Sequence, residues 1–351
     1  MARFRRWHQG RLWSELKQNV TGNRISLLLR LAITIIGLQF IAVLSVVLFT
    51  YFTSEQALLR QSRDLLNKDG TNVVERIKGF MDPARQTISL AQRLSENNVL
   101  SLDDVDGLES FLFRQLQTGR QLSGIYFGGV DGRFVYVMRS KETGSYRTKV
   151  IESQTENSPA KYIWRNNRYS VTRAEEDPTD TFDPRTRPWF QDAVELKTGV
   201  WTDPYVFYSS QQPGITFSAP VYDTKGELMG VFGVDMEIDA LSVFLSEIWP
   251  NKQGAAMIIN RQGEVLAYPE FRFITHFDPA AEPTFANITD LKDPLCQAAF
   301  SQIDASEPEL ITEIRNSDFE FEGRRYVSTL IPVQGWDLPW IVAIFAPEEN
   351  F

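Results

Sequence analysis

Cysteine and histidine are nearly missing from this chain. Cys296 is the one cysteine in 351 residues, so no intramolecular disulfide frames the fold. Two histidines, His8 and His276, are too few for a His-rich zinc site. No Gly-x-Ser-x-Gly elbow, phosphate-cradling glycine loop or Cys/His pair occurs. No enzyme activity, metal or cofactor is therefore expected. One stretch lacks charge altogether: Leu31 to Ser54 contains no Asp, Glu, Lys or Arg.

A helix over that stretch covers about 36 Å, enough to cross a hydrocarbon core of about 30 Å. Residues 1–30 before it hold seven basic side chains and one acid, which by the positive-inside rule keeps them cytoplasmic. The exit, Tyr51-Phe52-Thr53-Ser54-Glu55, lacks the small-x-small pattern of a cleavage site. An uncleaved anchor over 31–53 is expected, with 54–351 on the far side of the membrane from the cytoplasm. Residues 31–351 then carry 29 basic and 44 acidic groups, a net −15. Such an acidic body is unsuited to neutralising phosphates, so no nucleic-acid partner is expected. With 43% hydrophobic residues, it is apolar enough to build its own core.

After the span the pattern stays helical to about Asn97. Leu59, Leu66, Val73 and Phe80 recur every seven residues, beside Leu58, Leu65, Ile77, Ala84 and Ile88. The stripe can pack on the chain's own sheet or form a homodimer seam that continues the membrane helix. Gly70, Gly79 and Pro83 are possible kinks. A second helix is expected over Val105–Thr118. The period then becomes two: Gly124–Val130, a turn at Asp131-Gly132, and Arg133–Val137 read as a hairpin. Residues 140–180 read as polar and irregular, anchored by Trp164 and Tyr169. A loop and short helix over Asp183–Val194 lead to strands at Gly199–Tyr208, Gly214–Tyr222 and Leu228–Asp235.

The scheme then restarts. A helix over Ile238–Ile248 precedes a hairpin, Ala255–Asn260 and Glu264–Tyr268, turning at Arg261-Gln262-Gly263. A helical stretch near Asp293–Ile303 precedes strands at Leu310–Arg315, Arg324–Val333 and Trp340–Phe345. The expected fold class is α+β: a transmembrane helix running into a long stalk helix that carries two tandem antiparallel-sheet modules. The expected divisions are 1–30, 31–53, 54–119 (stalk and second helix), 120–237 (distal module) and 238–351 (proximal module).

Four pieces occur in order: Asp183-Pro184-Arg185-Thr186-Arg187-Pro188-Trp189-Phe190, Trp201-Thr202-Asp203-Pro204-Tyr205, Pro220-Val221-Tyr222-Asp223 and Gly230-Val231-Phe232-Gly233-Val234-Asp235. This set resembles the double Cache sensor family, the extracytoplasmic parts of bacterial chemoreceptors, histidine kinases and cyclases. The resemblance covers about 54–351. It implies two PAS-like modules, a distal pocket for a small molecule, and an output domain with a second span beyond Phe351. A stand-alone anchored binding protein is the alternative.

The amino-acid-binding branch of that family implies pocket positions at Phe182, Arg187, Trp189, Phe190, Tyr205, Phe207 and Asp235. Phe182 stands where that branch has Tyr, and Phe207 where it often has a second acid. A guanidinium can fork a carboxylate, a carboxylate can receive an ammonium, and aromatics can bury the rest. A small carboxylate- or amine-bearing metabolite is the expected ligand. Each residue also has a structural alternative. Arg187 can brace Asp183 or Asp203, Trp189 and Phe190 can be core, Tyr205 can pack on the helix, and Asp235 can cap the helix near Ile238. In the proximal module Tyr268, Trp336 and Trp340 read as structural.

Overall fold

The computed structural model describes residues 8–140, 144–152, 159–248, 254–269, 275–276, 284–301, 311–335, 338 and 340–350. The chain forms two compact units, 1–61 and 62–351, and helix α1, His8–Glu96, contributes to both. In the first unit Ile33, Ile36, Phe40, Ile41, Val46 and Phe49 are exposed, although all are large and apolar. By length and composition this helix can cross a membrane.

Within the second unit, α1 turns its apolar stripe into the chain's own core. Leu66, Val73, Val74, Ile77, Met81, Ala84, Ile88 and Ala91 are buried. Gly70 allows close approach, because a Cβ there would lie 2.3 Å from Ile331 Cδ1. Asn67 Oδ1 accepts from Thr329 Oγ1 at 2.8 Å, Phe80 stacks on Phe244 at 4.3 Å, and Gln92 Nε2 donates to the Pro220 carbonyl at 2.9 Å. Leu66 and Val73 are thus core residues. Pro83 sits inside α1 without ending it.

Helix α2, Val105–Thr118, is capped by Asp104, whose carboxylate accepts from the Gly107 N–H at 3.1 Å. The distal sheet follows: β1 Gly124–Gly129, β2 Phe134–Arg139, β3 Ser145–Ile151, β4 Ala160–Asn166, β5 Val171–Asp177, then helix α3 Pro188–Leu196, β6 Val200–Trp201, β7 Tyr205–Val206, β8 Pro213–Tyr222 and β9 Leu228–Glu237. Its order is β5-β4-β3-β2-β1-β9-β8-β6, with β7 also on β8, and all pairs are antiparallel. Helix α4, Ile238–Ile248, leads to β10 Ala255–Asn260, β11 Val265–Ala267, the short pair β12 Thr275–His276 and β13 Thr284–Phe285, helix α5 Pro294–Ser301, β14 Arg315–Phe321, β15 Arg324–Pro332 and β16 Trp340–Pro347. The proximal sheet runs β11-β10-β16-β15-β14. Its order matches β2-β1-β9-β8-β6 of the distal sheet, so one scheme is used twice.

Three expectations are corrected. Residues 140–180 hold three regular strands, not an irregular loop. Two of their cations are paired inside the fold: Lys149 Nζ lies 2.6 Å from Asp180 Oδ2, and Glu109 takes Arg165 through Nε at 2.6 Å and Nη2 at 2.7 Å, with Thr148 Oγ1 at 2.6 Å. The strand read at Gly199–Tyr208 is two short pieces interrupted at Thr202-Asp203-Pro204, where proline has no N–H for the ladder. In place of a strand at 310–315, the ladder begins at Arg315 and runs to Phe321 opposite β15. Leu310, Gln302, Ile303 and Trp336 lie outside the described residues.

Candidate ligand-binding site

Register builds the site. Across the distal sheet one row reads Tyr162, Lys149, Tyr136, Tyr126, Gly233 and Ser218, and the next reads Trp164, Arg147, Met138, Gly124, Asp235 and Thr216. Directly opposed residues of an antiparallel pair project from one face. Two glycines in these rows are required. A Cβ on Gly233 would lie 2.1 Å from Tyr126 Cε2, and one on Gly124 would lie 2.4 Å from Tyr136 Cε2. Without a Cβ at either glycine, the Tyr126 ring crosses Gly233 and the Tyr136 ring crosses Gly124, the two meeting edge to face at 5.2 Å, and both extend toward Asp235.

Asp235 is buried, and every side-chain partner it has here is a hydroxyl. Oδ1 accepts from Tyr126 at 2.7 Å and from Thr216 at 2.6 Å, and Oδ2 accepts from Tyr136 at 3.2 Å. The Tyr205 hydroxyl is 2.8 Å from Thr216 Oγ1 and so joins the same network. Burial pushes the Asp235 carboxyl up to about 7, against the three hydroxyl donors, which favour the anion. The same burial and the nearby carboxylate raise Tyr126, Tyr136 and Tyr205, which stay protonated. The carboxylate thus serves this network rather than capping α4.

Arg187 reaches the site because a neighbour takes the competing acid. Asp183 caps the short turn Pro184–Thr186 and binds Arg185 through Nε at 2.9 Å and Nη2 at 2.7 Å. Arg187, two residues on, has no ion pair or hydrogen bond to its side chain among the described residues. It sits with its guanidinium carbon 5.9 Å from the Tyr205 ring centroid. The brace to Asp183 belongs to Arg185.

Aromatics enclose the space between. Trp189 packs on Tyr126 at 4.6 Å and Phe134 on Phe182 at 4.6 Å. Gly128 makes room for the indole, since a Cβ there would lie 2.8 Å from Trp189 Cη2. The Ser218 hydroxyl donates to the Trp189 carbonyl at 2.8 Å, tying α3 to β8. Phe207 lies over Gly214, where a Cβ would be 2.1 Å from Phe207 Cζ. Six of the seven sequence-derived positions, Phe182, Arg187, Trp189, Tyr205, Phe207 and Asp235, line one cavity of about 20 Å³. Phe190 does not line it: its ring packs edge-on against Trp189 at 5.6 Å, in the core. Tyr126, Phe134, Tyr136, Tyr208 and Ser209 complete the lining and were not singled out from sequence. The alternation of Tyr126, Phe134 and Tyr136 marks one face of a hairpin. Only the glycines Gly124 and Gly233 could have hinted that rings lie across it.

Residues 52–351 match the family model of the Cache domain, dCache_1. The chain belongs to the Cache family. Among curated relatives, a methyl-accepting chemotaxis protein, PscA of Pseudomonas syringae pv. tomato, is 26% identical over 136 residues, 38% of this chain and 20% of that receptor. Adenylate cyclase 1 of Rhizobium meliloti is 21% identical over 256 residues, 68% of this chain and 38% of the cyclase. The alignments span 14–38% of the length of the curated relatives they match. Among solved structures, the ligand-binding domain of the Pseudomonas fluorescens chemoreceptor CtaA in complex with L-isoleucine superposes with a TM-score of 0.53 at 17% identity, covering 85% of this chain and 98% of that one. The Cache fold accounts for the repeated sheet order and the long α1, and this chain carries a Cache sensing domain.

Proposed function

We propose that the distal module, 120–237, binds a small metabolite bearing a carboxylate, with Arg187 as its fork and Asp235 as the acceptor for an ammonium or other donor of the same ligand. One observation carries this reading: a guanidinium without an acidic partner and a buried carboxylate face one aromatic-walled cavity. Isolated charges in such a place are costly unless a ligand completes them. Trp189, Phe182, Tyr205 and Phe207 supply the apolar contact, while Phe190 supports Trp189 from behind. The L-isoleucine bound by the CtaA domain, which shares this fold, is a ligand of the proposed kind. The chain acts, on this reading, as the periplasmic sensing part of an inner-membrane receptor, its N-terminus cytoplasmic. A homodimer forms through the membrane helix and the exposed side of the stalk, since Leu66 and Val73 are spent on the core. The test is a thermal-shift screen of the full chain in detergent against amino acids, amines and organic acids, because a ligand that binds only the folded state raises the melting temperature. A complete panel with no shift, or a shift that Arg187→Ala leaves untouched, contradicts the assignment.

A further inference from the structure

The face that carries Asp235 continues past the cavity onto β3, where Arg147 and Lys149 stand two residues apart on the same side. Their partners differ. Lys149 Nζ lies 2.6 Å from Asp180 Oδ2, with both side chains buried, and 4.4 Å and 5.1 Å from the ring centroids of Phe182 and Tyr208. Its charge is already answered. Arg147 has no carboxylate within ion-pair distance among the described residues. Its Nη2 donates to the Ser209 carbonyl at 3.0 Å and touches Met138 Sδ at 3.1 Å, and its guanidinium covers the Tyr162 ring at 5.6 Å.

Ser209, Phe207 and Tyr208 are themselves cavity wall. All three belong to the connection 207–212 between β7 and β8, which bonds mainly to itself: Phe207 N–H to the Gln212 carbonyl at 3.0 Å and Gln211 N–H to the Phe207 carbonyl at 2.9 Å. Tyr208 is 44% exposed. A space of about 20 Å³ holds about one water molecule, so a metabolite must displace a wall. The remaining walls are sheet strands, α3, which Ser218 ties down, and Phe182 in the loop before it, whose ring packs on Phe134 of β2 at 4.6 Å. The connection 207–212 is the wall free to lift, and Arg147 is the side chain that its Ser209 carbonyl holds.

We propose that Arg147 is a second anion-recognising residue of this pocket, exchanging the Ser209 carbonyl for an acidic group at the far end of the ligand once 207–212 lifts. The inference rests on the ligand site proposed above and names its class: compounds with two acidic groups, such as the acidic amino acids, over their neutral counterparts. The exchange is favourable because a charge-assisted, two-pronged contact replaces one bond to a neutral carbonyl. A site built around such a contact also rejects the analogue that lacks the charge.

The test titrates the full chain in lipid nanodiscs by calorimetry with L-aspartate, L-glutamate and their near-isosteric amides, L-asparagine and L-glutamine. In at least one pair the acid binds about tenfold tighter or better. Arg147→Gln brings that ratio to within about twofold, and Arg147→Lys, which keeps the charge but not the fork, retains part of it. Being a ratio, the readout survives an overall loss of stability, and the wild-type ratio stands even where a variant fails to fold. Amides that bind wild type as well as the acids overturn this inference and leave the Arg187–Asp235 site standing. A preference that survives Arg147→Gln overturns it as well, by placing the second acid elsewhere. Four silent titrations also overturn it. A carboxylate found by the wider screen that still depends on Arg187 would then preserve the first reading.

Discussion

The Tyr126 hydroxyl donates to Asp235 Oδ1 at 2.7 Å from a ring that lies across Gly233, so a glycine on one strand positions the acid's partner on the next. A methyl group at Gly233 would collide with that ring. Gly233→Ala is expected to cost about 1–3 kcal/mol through overpacking and to weaken ligand binding by displacing the hydroxyl. Chemical denaturation and calorimetry read the two effects, and an Ala variant as stable and as competent as wild type would show that the ring does not need the space.

The raised Asp235 carboxyl sets a pH dependence. Between about 4, where an unfolded aspartate ionises, and about 7, where the folded one does, the folded state holds the extra proton. Its contribution to stability is therefore full below that window, declines as pH rises through it and stays lost above it. Asp235→Asn removes this decline. Melting curves from pH 4 to pH 8.5 should fall less steeply for the variant than for wild type, and parallel curves would mean that Asp235 titrates normally.

Ligand binding couples to the same proton. An ammonium placed against Asp235 favours the carboxylate, so an amine-bearing ligand should release up to about one proton on binding at pH 6 and almost none at pH 8.5. Calorimetry in two buffers of different ionisation enthalpy measures this. Equal heats at pH 6 would place the amine away from Asp235.

The buried pair of Glu109 and Arg165 fastens α2 to β4, with Thr148 and Tyr169 as further donors to Glu109. Removing one partner strands the other, so Glu109→Ala should cost about 3–5 kcal/mol. Ligand specificity among variants that still fold should not change. A variant of native stability would show that the pair is solvated.

Much of the fold was legible in sequence because two periods announce it. Seven-spaced apolar residues in α1 and period-two runs around Asp131-Gly132 and Gln262-Gly263 mark the helix and both hairpins. Residues 140–180 were not legible, since Lys149 and Arg165 look like surface charges until Asp180 and Glu109, distant in sequence, arrive beside them, and Arg147 until the Ser209 carbonyl does. For the site, Arg187, Trp189 and Asp235 stood out by motif, whereas Tyr126 and Tyr136 join only through strand register. Phe190 shared the motif but points into core, because adjacent residues at the start of a helix face different directions.

The most direct test of the central claim, that Arg187 and Asp235 hold two polar groups of one ligand, is the affinity of Arg187→Ala and Asp235→Ala for whichever screened metabolite raises the wild-type melting temperature. Each substitution should weaken binding by about 2–5 kcal/mol, since removing one partner leaves a ligand charge buried and unpaired. Normal affinity in both variants, with Trp189→Ala and Tyr205→Ala lowering only stability, would contradict the claim and move the site elsewhere in the chain.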